Sequence, residues 1–243
     1  MQGFYEMYQR GHHQEVYEEL LLVQGNIYES NHYADTLMVT REIMRRVHYN
    51  IEQLVIRLKQ VGYLFGKGEG HWQEIPVAER EFSIFQPPTA KTPEYITTLE
   101  KLAGSLPLSL KCWYEEVGTV NFIGLFPGNE QKDGPQLDPL YIEPLESLLQ
   151  IVQTFIEIGG ESEIELMLAP DAYHKYGYSG GGAYSISIPN KQFDTLLMNE
   201  AHETTFINYL RLCLSAGGFA GREIHEYVSQ EILLFLTKDL YSF

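Results

Sequence analysis

The stretch Leu106 to Gly124, LPLSLKCWYEEVGTVNFIG, constrains this chain more than any other, because it carries a whole helix, its stop and the strand after it. Leu106, Leu110, Trp113 and Val117 recur at intervals of four, three and four, which is one apolar face of a helix. Pro107 falls in the first turn, where a missing N–H costs nothing, and Gly118 falls where the last turn needs a left-handed residue. From Thr119 to Leu125 both alternations are apolar, Val120 and Phe122 on one and Ile123 and Leu125 on the other. A strand of that kind belongs inside a sheet with both faces covered, so only a folded domain accommodates the unit.

Periodicity lays out the rest. Leu37, Met44, Val47, Ile51, Leu54, Leu58 and Val61 form the seam of a long amphipathic helix stopped by Gly62. A shorter helix is predicted from His13 to Val23, and Gly25 to Tyr33 lets the two pack as an antiparallel hairpin within residues 1–66. Arg41, Arg45 and Arg46 with Glu42 read as a solvated outer face. Residues 67–91 read as a linker: glycines at 66, 68 and 70 and the pair Pro87-Pro88 bound a segment whose apolar cluster is Phe82, Ile84 and Phe85. Thr92-Pro93-Glu94 then supplies a cap, a first-turn proline and a first-turn acid ahead of Ile96, Leu99 and Ala103, opening a main domain over 92–243.

Pro127 to Gln136 is a polar surface loop, Leu140 to Ile142 a short strand and Pro144 to Phe155 a helix with a weaker pattern. Glu163 to Leu168 and Tyr184 to Ile188 alternate with period two, which predicts two half-buried antiparallel strands. Phe206 to Leu214, stopped by Gly217-Gly218, and Val228 to Leu236 are helices. The predicted class is α+β: a mostly antiparallel twisted sheet packed against several helices, preceded by the N-terminal helical hairpin.

The order of these elements resembles the SUKH superfamily, to which the yeast cell-wall-assembly regulator and many bacterial toxin-immunity proteins belong. The likeness rests on 106–124, then Asp138-Pro139-Leu140-Tyr141, then Ala169-Pro170-Asp171 leading through His174-Lys175 to Ser179-Gly180-Gly181-Gly182-Ala183-Tyr184, and finally Phe206 to Gly221, FINYLRLCLSAGGFAG. These stretches cover about half of the chain, in the family's order. The chain departs from the pattern at Ala220, where relatives often carry proline after GGF. The resemblance implies an α+β fold whose members mostly bind other proteins, and it supplies no catalytic residues.

Charge narrows the partner. Against 17 Lys and Arg stand 33 Asp and Glu, a formal net charge of −16. Such a balance repels nucleic acid and anionic membrane and attracts basic proteins at long range, though solubility alone also accounts for it. The amino terminus is polar too early for an export signal and no apolar run is long enough to span a bilayer, so a cytoplasmic protein is expected. Cys112 and Cys213 lie in predicted amphipathic helices without a CxxC, and read as buried free thiols. None of the 8 histidines falls in a HExxH or HxxxH arrangement, so no metal and no cofactor is expected.

The richest chemistry lies in Pro170 to Gly182, PDAYHKYGYSGGG, between two predicted strands. One reading is an anion or nucleotide cradle of glycine amides with Lys175, although no lysine follows the glycines in Walker order and a strand, not a helix, comes next. The other is that Asp171 and Ser179 bond the loop's own amides while its tyrosines pack it down. A triad of Ser179, His174 and Asp171 is disfavoured, since neighbours on one loop rarely reach triad geometry and Gly-x-Ser-x-Gly is absent. The expected function is non-catalytic binding of a protein partner, most concretely a basic toxin domain neutralised by an immunity protein. The candidate partner contacts are Asp138, Asp171, Tyr173, His174, Lys175, Tyr176, Tyr178 and Ser179. The alternatives are a ligand-binding protein or enzyme using the Asp171 to Gly182 loop, and a regulatory scaffold.

Overall fold

The computed structural model describes residues 3–23, 25–66, 84–128, 137–159, 163–221 and 227–243. Gly68, Gly70, Phe82 and the rest of 67–83, residues 129–136 of the expected surface loop, and His71 and His225 lie outside the described residues.

Three helices open the chain: α1 (Phe4–Gln9), α2 (His13–Leu21) and the long α3 (Tyr33–Gln60). Val39, Ile43, Met44, Val47, Ile51, Leu54 and Leu58 of α3 are fully buried, the continuous stripe that a three-four spacing produces on a helix. The helix lying along α3 is α1, whose six residues are too few to show a period in the sequence. It is tied by the N–H groups of Phe4 and Tyr5, which donate to the carboxylate of Asp35. α2 instead sends the Tyr17 hydroxyl to Asp194, at 2.9 Å, and its ring against Phe193. The expected two-helix hairpin is thus a three-helix arrangement.

α4 (Thr92–Ala103) and α5 (Leu108–Glu116) follow. The cap of α4 is displaced by one residue from the sequence reading, with Lys91 at the N-cap and the Thr92 hydroxyl accepting from the Thr89 N–H at 3.0 Å. Pro107 caps α5, and Leu110 and Trp113 are fully buried as the periodicity requires. Two of the three arginines read as solvated have partners on α5, Arg41 with Glu115 at 3.0 Å and Glu116 at 3.6 Å and Arg45 with Glu116 at 3.4 Å, while Arg46 pairs with Glu42 one turn back on α3 at 3.0 Å. Half-exposed pairs of this kind contribute at most about 1 kcal/mol each, and the packing between α3 and α5 rests on the apolar stripe. One apolar core runs from the N-terminal helices through α5 into the strands, so it crosses the boundaries drawn at 66 and 91.

The strands are short and every pairing is antiparallel. β1 (Leu64–Phe65) pairs with β4 (Gly124–Leu125); β2 (Phe85–Gln86), β3 (Thr119–Asn121) and β5 (Tyr141–Ile142) form a second sheet; β6 (Ile164–Ala169) and β7 (Tyr184–Ile188) form a third. β2 lies within the stretch read as a linker. The single strand expected over 119–125 is two, because the Asn121 side chain accepts from the Ile123 N–H at 3.0 Å and turns the chain from the β2–β5 sheet to β1. Phe122 N–H to Leu140 O at 2.9 Å extends the β3–β5 pairing, and Glu143 N–H to Leu168 O at 2.7 Å links that sheet to β6. α6 (Leu145–Glu157), α7 (Phe206–Ser215) and α8 (Gln230–Thr237) complete the fold, α8 starting after the cap Ser229 and not at Val228. Among the described residues no helix is long and apolar enough to cross a membrane.

Gly118 holds the junction of α5 and β3. Its φ is +96°, and a Cβ there would lie 2.2 Å from the Gln86 carbonyl oxygen, so β2 reaches β3 only past a glycine. Gly118→Ala is expected to cost at least about 2 kcal/mol in urea unfolding, through strain and displacement of β2. A loss below about 0.5 kcal/mol contradicts this packing.

Candidate functional site

Asp138 stands where the motif segments meet. It lies just ahead of β5, is 6% exposed, and accepts a hydrogen bond from the Lys175 ammonium on one oxygen and from the Tyr184 hydroxyl, at 2.9 Å, on the other. Lys175 is fully buried, with its ammonium 4.8 Å from the centre of the Tyr184 ring. A charge so enclosed is tolerated only when paired, and here carboxylate, cation and aromatic face answer one another. The Asp138 backbone is engaged as well: its carbonyl accepts from Ala220 N–H at 2.7 Å, and Leu140 N–H donates to Gly218 O at 2.8 Å. The Ala220 N–H makes a bond that a proline at this position could not donate. Burial pushes the Tyr184 and Tyr209 hydroxyls and the Cys213 thiol up from their ordinary pKa values, the negative Asp138 adding to each.

The connection from β6 to β7 is built around Asp171. One of its oxygens accepts from Tyr173 N–H at 2.8 Å and His174 N–H at 3.3 Å, and the other contacts the His174 ring. Burial alone would raise this carboxyl; the hydrogen bonds from the His174 ring and the two N–H groups outweigh it and hold it below the ordinary 3.8. Two of the loop's glycines, Gly180 and Gly182, serve the same end. A Cβ on Gly180 would lie 2.6 Å from an Asp171 oxygen and 2.4 Å from Tyr173 Cβ, and one on Gly182 would lie 2.8 Å from the Asn199 side chain. Their bareness lets the loop close on itself.

Of the candidate contacts, Asp138, Asp171, Lys175 and Tyr176 are buried. Tyr173, His174 and Ser179 are exposed, Tyr178 half-buried. The structure therefore joins Asp138 to Lys175 and Asp171 to His174 as two separate clusters. Sequence reasoning named Tyr184 only as a motif residue; a tyrosine at an inward position of an alternating strand was the available signal that its hydroxyl needs a buried acceptor. Asp194 was missed. It is fully enclosed, accepting from the Tyr17 hydroxyl and, at 3.1 Å, the Ile207 N–H at the start of α7; burial pushes its carboxyl up against those bonds.

Beside the loop, the surface between α6 and β6 holds two adjoining cavities. One, of about 280 Å³, is lined by Glu143, Ile151, Met167, Ala169, Pro170, Asp171, His174 and Ala183. The other, of about 330 Å³, continues along Ile151, Val152, Phe155 and residues 163–167. Burial raises the Glu143 carboxyl, partly offset by a hydrogen bond from Tyr141. Both cysteines are free and buried, and among the described residues no group of three or more His, Cys, Asp or Glu is placed to hold a metal ion. Compared with protein families, with curated proteins and with solved structures, the chain matches none.

Two outcomes follow from this geometry. Lys175→Met strands a buried carboxylate and is expected to cost about 3–5 kcal/mol in urea unfolding, while adding Asp138→Asn recovers most of the loss. Additive losses in the double variant contradict the pairing. Because the folded-state pKa of Asp171 is depressed, its stabilisation is complete above the ordinary 3.8 and fades as pH falls through the lower, folded value. Asp171→Asn should thus be less stable than the native chain at about pH 7, with the gap narrowing as pH falls below 3.8. A gap independent of pH contradicts the role given to the charge.

Proposed function

We propose that this chain is a non-catalytic protein-binding module of SUKH type, acting as an immunity protein that neutralises a bacterial toxin, such as a nuclease, by direct contact with a basic domain. The observation that carries the reading is the disposition of charge. The net charge is −16, and the ionisable groups of the loop, Asp138, Lys175, Asp171 and His174, hold the chain to itself. What faces outward is an acidic surface, which attracts a basic protein and repels nucleic acid, and so suits a mimic that occupies a nucleic-acid groove. The ordered motif set supports the resemblance to a superfamily that includes many toxin-immunity proteins, and the acidic balance favours that role.

A second reading has its own observation: the cavity of about 280 Å³ reaches Asp171 and His174. A small ligand or an enzyme substrate bound there would raise the melting temperature of the isolated chain. A regulatory scaffold would use the same binding surface on a different protein.

The deciding experiment is co-purification of the tagged chain with the product of the neighbouring gene, at about 0.05 M and about 0.5 M salt, alongside growth of cells making that product with and without this chain. The reading expects rescue of growth and a complex that weakens at the higher salt. A partner that binds equally at both, or growth arrest that this chain does not relieve, contradicts it.

A further inference from the structure

The trough between α6 and β6 has a wall that is neither a helix face nor a sheet face. Five consecutive residues, Glu163 to Met167, line its second cavity. Alternate side chains of a strand point to opposite faces, so consecutive residues share one wall only where the strand presents its edge. β6 is such an edge: β7 occupies one side, and among the described residues the other side meets β5 through the single bond from Glu143 N–H to Leu168 O. An unpaired strand edge is a template for another strand. The opposite wall is apolar, from Ile151, Val152 and Phe155, and Met167 is 43% exposed at the point where the two cavities meet.

Charge says what fits. Glu165 on β6 and Glu163 just before it are exposed and line one cavity, and Glu143 and Asp171 line the other. From residue 133 to residue 190 the one lysine or arginine is Lys175, which is fully buried against Asp138. Among the described residues, the lining of the two cavities therefore carries four carboxylates and no lysine or arginine. A second copy of this chain would bring the same glutamates edge to edge and is repelled.

We propose that this trough receives an extended basic segment of the protein partner, which adds as a strand to the free edge of β6, places apolar side chains against Ile151, Phe155 and Met167, and sets lysines or arginines against Glu163, Glu165 and Glu143. This assignment rests on the protein-binding reading above and names its surface.

The probe is a capped peptide of about six residues alternating lysine and valine, the length of an ordinary strand, with a glutamate–valine peptide as control. Titration into the full-length chain, followed by amide exchange, should show binding of the lysine peptide alone and slowed exchange at residues 164–167. Charge reversal by Glu163→Lys with Glu165→Lys should weaken binding about tenfold or more, while Glu15→Lys with Glu18→Lys on α2 should change it less than about twofold. Failure of the lysine peptide to bind, equal effects of the two pairs, or protection of 164–167 that grows with protein concentration in the absence of peptide overturns the proposal, the last by making a second copy the occupant. The two levels separate in the toxin complex. A complex that survives Glu163→Lys with Glu165→Lys overturns the trough and leaves the protein-binding reading standing, whereas peptide binding at β6 without any rescue of growth overturns the immunity role and leaves the trough.

Discussion

The pairing of Asp138 with Lys175 and Tyr184 is the constraint on which the rest of this structure turns. Three segments are brought to one carboxylate: the approach to β5 and, from well downstream of it, the short turn His174–Tyr176 and the inward face of β7. The backbone of the same residue meets the turn after α7 through Ala220. A buried ion pair is a weak source of net stability but a strong source of uniqueness here, since any other register leaves a charge stranded in apolar surroundings. Why the sequence concentrates chemistry in DPLY, PDAYHK and GGF thus has a structural answer.

That answer redirects the functional question. Aspartate, histidine, lysine and clustered glycines on one loop invite a reading as a catalytic or anion-binding site, yet the aspartate, histidine and lysine each have a partner within the chain. Gly180 admits Asp171 and Tyr173, and Gly182 admits Asn199. Among the described residues, the features left facing solvent include acidic side chains, an exposed tyrosine and the outer edge of β6. These are the ingredients of a protein interface in which long-range attraction sets the encounter and backbone pairing sets the geometry.

How much of this was legible in the sequence depended on how local its cause was. α5, the long α3, the β6–β7 pair and the glycine stop of α7 could all be read, because each is dictated by residues within a few positions of one another. α1 could not, since its anchor, Asp35, lies some thirty residues downstream. β2 could not, because two residues carry no periodicity and its identity comes from pairing with β3. The division of the 119–125 strand was hidden for a different reason: apolar residues occupy both sides of the turn, and only the Asn121 side chain marks it. For the site, the residue types were visible and their partners were not. Asp138 and Lys175 are 37 positions apart, and nothing in either segment announces the other.

The most direct test of the account is a measurement on the Lys175 ammonium itself, by nitrogen-detected magnetic resonance of the lysine side chains near neutral pH. Exposed ammonium protons exchange with water too fast to be seen, whereas a fully buried and doubly engaged group is protected. The account predicts one lysine resonance with slow proton exchange, assigned to Lys175 and lost when Asp138 is replaced by asparagine. A spectrum in which Lys175 exchanges like a surface lysine contradicts the buried pairing at the centre of the structure.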